Sequence, residues 1–151
     1  MDFAALMGIL DYMDAKLSLR QQVIDKLTDH NITATKQRVE IGLCLFDCDQ
    51  HVTADQLQER VNKSGGEASK ATIYNTLGLF AKKGLLREVV IDPTKLVYDT
   101  NTSTHHHIYN LDSGELHDIT AGEVGLNKLP ELGENLEVED VDIIIRVRSK
   151  N

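Results

Sequence analysis

The stretch SKATIYNTLGLFAKKGLLREVVIDPTKLVYDT, Ser69 to Thr100, changes its periodicity midway. Ile73, Leu77 and Phe80 fall at i, i+4 and i+7, the spacing of one helix face, behind a serine whose hydroxyl can cap the first turn. Gly84 supplies the stop. Lys70, Ala71, Tyr74, Asn75 and Gly78 then share the opposite face. After the glycine come LLREVVI and KLVYDT, two β-rich runs joined by Asp92-Pro93-Thr94, which read as strands around a turn with Lys95 at its tip.

Upstream, two more helices are predicted. Thr33 and Thr35 offer N-caps to a helix that carries Val39, Leu43 and Phe46 inward and ends near Cys48. Thr53-Ala-Asp-Gln56 has the form of a capping box, opening a helix through Leu57 and Val61 that runs out at Ser64-Gly65-Gly66. Three helices followed by a hairpin make a winged helix-turn-helix, whose third helix can enter the major groove of DNA. Before it, Phe3, Leu6, Leu10, Met13 and Leu17 repeat at spacings of three and four on one stripe of a further helix. The plain reading of that stripe is core packing; the sharper one is packing across a dimer.

Beyond Thr100 the pattern changes to short strands: HHHIYNL, ELHDI after an Asp-Ser-Gly turn, and VDIIIRV near the end. Gly122, Gly125, Pro130 and Gly133 interrupt the segment between the last two and leave room for at most a short helix. The expected fold class is therefore α+β, with a winged-helix unit and its leading helix over 1–98 and a small α/β unit over 99–151. A unit of about 50 residues is at the low end of what folds alone, so a homodimer is expected.

Side chains alternate along a strand, so His105 and His107 face one way and His106 the other. Neutral imidazole is a common ligand for transition metals, and carboxylates add oxygen donors that suit Mn and Fe. Asp99 on the wing's exit strand and Asp118 on the returning strand can reach the same side. A third imidazole is available from His51, read here as part of the loop between the first two winged-helix helices. The same run of histidines also reads as a solvated surface strand. Cys44 and Cys48, at i and i+4, read as buried thiols, or as two thiolate ligands on one helix face.

The chain of 151 residues is 41% hydrophobic and carries a formal charge of -8, which at first argues against nucleic acid. The charge is uneven, however. Residues 33–90 hold 8 Lys and Arg against 7 Asp and Glu, whereas residues 91–151 hold 5 against 12. A DNA reader can occupy the first half while the second gathers cation-binding carboxylates. Two cysteines point to a reducing compartment, and Asp2, Asp11 and Asp14 interrupt the apolar N-terminus, so a cytoplasmic protein with neither signal peptide nor membrane span is expected. Two histidines and a carboxylate also occur in iron oxygenases. The chain lacks the larger β-barrel such enzymes use, and it is read as no enzyme.

Taken in order, TKQR, HVTADQL, ASKATIYNTLGLF, KKGLL, YDT, HHHIYNLDSGELHDI and VDIIIRV resemble the ferric uptake regulator family of bacterial transcription factors, from about Leu27 to Arg148. YDTNTSTHHH, the absence of paired CxxC motifs and the ending GLNKLPELGENLEVEDVDIIIRVR look most like its iron-response (Irr) branch, with the peroxide-sensing (PerR) branch second. The resemblance implies a regulatory metal site of His51, Asp99, His105, His107 and Asp118, suited to Fe2+ or Mn2+, with Zn2+ able to occupy it in purified protein. It also implies a homodimer on a palindromic double-stranded operator, contacted by Lys36, Arg38, Lys70, Thr72, Tyr74, Asn75 and Lys95. Asn110 and Ser113 stand where relatives have their first CxxC pair, so no structural four-cysteine zinc is expected. Neither Pro93 nor Pro130 follows a cysteine, so haem, if bound, would use His105, His106 and His107.

Overall fold

Local hydrogen bonds set the starts of the helices. In the computed structural model, which describes all 151 residues, α1 spans Phe3–Asp29, α2 Lys36–Leu45, α3 Ala54–Lys63 and α4 Lys70–Lys82. The Thr35 hydroxyl accepts from the Arg38 N–H, and the Ser69 hydroxyl accepts from the Thr72 N–H. Thr53 and Gln56 close a full capping box, each side chain taking the other's backbone N–H. At the far end of α4, Gly84 has φ +81°, a left-handed conformation that a side chain disfavours.

The chain divides into two compact units, Met1–Glu88 with Leu96–Thr102, and Val89–Lys95 with Ser103–Asn151. The border thus follows Thr102, and the hairpin tip groups with the second unit. In the first unit, Leu27, Ile41, Leu45, Leu57, Ile73, Leu77 and Phe80 are fully buried together. Helix α1 joins this core only through its C-terminal part. Val23 is buried against Gly42 of α2, where an added Cβ would stand 2.5 Å from the valine Cγ1.

The N-terminal stripe corrects the plain expectation for it. Phe3, Leu6, Leu10, Met13 and Leu17 are between 45% and 77% exposed, and none of them belongs to the buried core. The reason is length: α1 runs 27 residues, about 40 Å, and α2 to α4 cover only its last turns.

Strands β1 (His51–Val52), β3 (Lys95–Asp99) and β2 (Arg87–Asp92) form one sheet in that order. Asp92 tightens the turn between β2 and β3 by accepting from the Thr94 N–H at 2.7 Å and hydroxyl at 2.6 Å, and these bonds hold its carboxyl below the usual range. The second sheet, in the second unit, has the order β5 (Leu116–Thr120), β4 (His105–Asn110), β6 (Ile144–Val147). Strand β4 pairs antiparallel with β5 and parallel with β6. Residues 121–143, where a short helix had room, contain neither helix nor strand. No helix is long and apolar enough to cross a membrane.

Candidate metal centre

His51 lies in the two-residue strand β1, not in a loop, and the pairing explains why. Its Cα partner across the ladder is Asp99. The ladder is extended by the Thr100 N–H to the Gln50 carbonyl at 3.1 Å and by the Gln50 N–H to the Thr100 hydroxyl at 2.9 Å. The Gln50 amide also donates to the carbonyls of Leu45 and Cys44 at 2.9 and 3.2 Å, tying the strand to the open end of α2. This brings His51 Nε2 to 3.2 Å from Asp99 Oδ2, with Asp99 buried. Asp99 Oδ1 accepts from the Asn101 N–H at 2.9 Å, which fixes the carboxylate's orientation.

In the second unit, register does the same work. His107 stands directly opposite Asp118 across β4 and β5, and His105 lies two residues back on the same face. His105 Nε2 and His107 Nε2 are 3.1 Å apart, and Asp118 Oδ1 is 3.3 Å from the first and 3.4 Å from the second. Both histidines are buried, while the Asp118 side chain is 38% exposed and opens the cluster to solvent.

The tautomer of His105 follows from its other nitrogen. Nδ1 is 2.7 Å from the Ser103 carbonyl oxygen, which can only accept, so Nδ1 carries the hydrogen and, in the neutral imidazole that binds metals, Nε2 presents a lone pair. Three acceptor-capable atoms therefore converge in a triangle with edges of 3.1 to 3.4 Å. A shared hydrogen satisfies one edge; a cation satisfies all three. With metal to ligand distances of about 2.0–2.1 Å and angles from octahedral to tetrahedral, ligand atoms stand about 2.8–3.4 Å apart. The triangle fits, and so does the separation of His51 and Asp99 in the first unit.

His106 points away from this cluster. It is buried on the other face of β4, where its Nδ1 accepts from the Ile143 N–H at 3.3 Å. Burial of all three also rules out the solvated-strand reading of the run. The cysteines are both free thiols; Cys44 is half-buried, not fully buried, and Cys48 is exposed. Burial pushes the Cys44 thiol pKa up despite its contact with the Ser64 hydroxyl, which disfavours a thiolate ligand.

On α4, Lys70, Tyr74 and Asn75 are exposed on one face, as their spacing requires. Thr72 is partly buried and its hydroxyl lies 3.0 Å from that of Ser69. Lys70 Nζ pairs with Asp55 at 3.3 Å and lies 5.9 Å from the Tyr74 ring centre. Lys36 is exposed at the start of α2, whereas Arg38 donates to the Thr33 carbonyl at 2.9 Å. Lys95, at the start of β3, donates to the Tyr109 hydroxyl at 3.0 Å and lies over its ring. Gln50, Thr100 and Ser103, which position the candidate ligands, escaped the sequence reading. Ser103 acts through its carbonyl, a group every residue possesses, and Gln50 and Thr100 show their purpose only once β1 and β3 are paired.

The model of the ferric uptake regulator family matches residues 29–146, most of the chain. The chain belongs to that family. Ferric uptake regulators are metal-dependent transcriptional regulators and not enzymes. A peroxide-responsive repressor, PerR, from Staphylococcus aureus strain Mu50 is 29% identical over 121 residues, 80% of each chain. The fold is shared with the ferric uptake regulator of Pseudomonas aeruginosa solved with manganese, at a TM-score of 0.66 and 22% identity over 85% of this chain and 98% of that one. The regulator of Francisella tularensis solved with iron gives 0.62 at 20% identity, over 79% and 92%.

Proposed function

We propose that this regulator is a cytoplasmic homodimeric repressor that grips a palindromic operator when Fe2+ or Mn2+ is bound by His51, Asp99, His105, His107 and Asp118. The observation that supports it most is the His105, His107 and Asp118 triangle, with the His105 lone pair aimed into it by the Ser103 carbonyl. The bound cation supplies charge and coordination. His51 and Asp99 on the winged-helix unit and the other three ligands on the dimerisation unit share it. That sharing sets the two α4 helices of a dimer at the spacing of the operator. Zinc can take the same donors in purified protein, because raw affinity favours it over iron and manganese.

Within the family, the YDTNTSTHHH segment and the missing CxxC pairs favour an iron-response role. The PerR relatives favour a second reading, peroxide sensing. Ferrous iron held by these five residues would supply the electrons that reduce peroxide, so the two readings share one ligand set. Haem on the histidine run gains nothing from this geometry, because strand alternation separates His106 from its neighbours and Ile143 occupies its Nδ1.

The test is operator binding by the full-length protein, on a duplex selected from a random library, with Mn2+, with anaerobic Fe2+ and with EDTA. At least a tenfold tighter complex with either metal is expected, and equal affinity in all three conditions overturns metal control. Loss of binding when the Fe2+ form meets hydrogen peroxide, with one oxygen atom added to a ligand histidine, selects the second reading.

The contacts of α4 are testable in the same assay. Lys70→Ala is expected to weaken binding to all sequences and to reduce the salt slope by about 0.9, the share of one phosphate contact. Asn75→Ala is expected to remove about 1–3 kcal/mol of base discrimination at one position, read by competition with single-base operator variants.

A further inference from the structure

Residues 1–28 lie outside the family match, yet they make up nearly all of α1 and present a continuous exposed apolar stripe. Phe3, Leu6, Leu10, Met13 and Leu17 alternate at spacings of three and four, which is the seam pattern of paired helices. A stripe of this extent on a protein surface marks a contact.

Two further features say with what. Beside the lower part of the stripe is a groove of about 190 Å³ lined by Met13, Lys16, Leu17, Arg20 and Leu43. The helix is also charge-polarised: Asp2, Asp11 and Asp14 are the only charged side chains of its first half, while the groove carries Lys16 and Arg20. A parallel pair of such helices sets like charge beside like. An antiparallel pair sets Asp2 of one copy beside Lys16 and Arg20 of the other, and lays Phe3 and Leu6 along the groove.

We infer that the α1 helices of two copies of this chain pair antiparallel, the Phe3 to Leu10 end of each seated on the Met13, Leu17 and Leu43 groove of the other. The contact is isologous and closes on itself, as a two-fold dimer requires. Two heptads are too short to hold two free chains together, so the pairing rests on the dimer of the proposed function as its tether, which raises the local concentration of one helix about the other. Joined this way, the two winged-helix units are linked independently of the metal.

Single cysteines test the arrangement in the full-length chain, with Cys44→Ala and Cys48→Ala removing the native thiols. Positions 3 and 10 are exposed, and circular dichroism checks that Phe3→Cys and Leu10→Cys keep the helix content. After diamide oxidation, Leu10→Cys is expected to link two chains, because residue 10 lies near the two-fold axis. Phe3→Cys is expected to stay unlinked, its sulfurs about 20 Å apart at 1.5 Å of rise per residue. Links at both positions, at Phe3→Cys alone or at neither overturn the pairing. Sedimentation of the same samples separates the two ideas: a dimer with no link at Leu10→Cys removes the helix pairing alone, and a monomer removes both.

Discussion

His107→Ala is expected to lower affinity for Mn2+ or anaerobic Fe2+ by more than the about 10–100-fold that loss of an outer-shell partner costs, because it removes a ligand itself. Its Nε2 is one corner of the triangle with His105 and Asp118, and its side chain is fully buried. Truncation of a buried group also leaves a cavity, so a loss of metal there has two possible sources. Asp118→Asn separates them. It keeps the side-chain size, removes the charge at a position that is 38% exposed, and leaves the β4 and β5 backbone pairing in place. Both variants are expected to lose metal in calorimetric titrations, Asp118→Asn with an unchanged thermal midpoint. His106→Ala is the contrasting case: its neighbour Ile143 N–H loses an acceptor, at about 1–3 kcal/mol of stability, while metal affinity stays near that of the unsubstituted chain. Equal metal loss in His106→Ala and His107→Ala would sink the assignment of ligands to one face.

That contrast rests on strand alternation, which is a period readable in any sequence, and it explains why this part of the site was legible early. The helix starts were legible for a related reason. Thr35, Thr53 and Ser69 cap through bonds to residues three positions away, so the whole device lies within a few letters. What escaped depends on distant residues. His51 is in a strand only because Asp99, far along the chain, pairs with it. The exposure of Phe3 to Leu17 could not be told from an amphipathic core stripe, since the spacing is the same and only the reach of α2 to α4 decides what is covered. The segment 121–143 gave weak signals and forms no regular element.

Phe80→Ala is expected to destabilise the winged-helix unit by about 3–5 kcal/mol, the usual cost of removing a buried phenylalanine. The ring is fully buried, with its centre 5.9 Å from that of Phe46, among Leu27, Ile41, Leu45, Leu57, Ile73 and Leu77. Elements α1 to α4 all supply residues to that cluster, so no single side chain can shift inward to fill the space. Against a total stability of about 5–15 kcal/mol for an ordinary domain, the loss is a large fraction. Urea denaturation should show a lower midpoint with an unchanged slope, because the surface exposed on unfolding is nearly the same. Val90→Ala, at a side chain that is 61% exposed, should change the stability by no more than about 0.5 kcal/mol. The position of Phe80 on α4 adds a second measurement. It sits on the face opposite Tyr74 and Asn75, which the operator is proposed to meet, so the two roles of this helix are carried by different residues. At a temperature well below the lowered midpoint, Phe80→Ala should therefore bind operator about as tightly as the unsubstituted chain. A loss below about 1.5 kcal/mol would mean that the cavity collapses; a full loss with weak DNA binding in the still-folded protein would mean that the ring sets the pose of α4 as well as its stability.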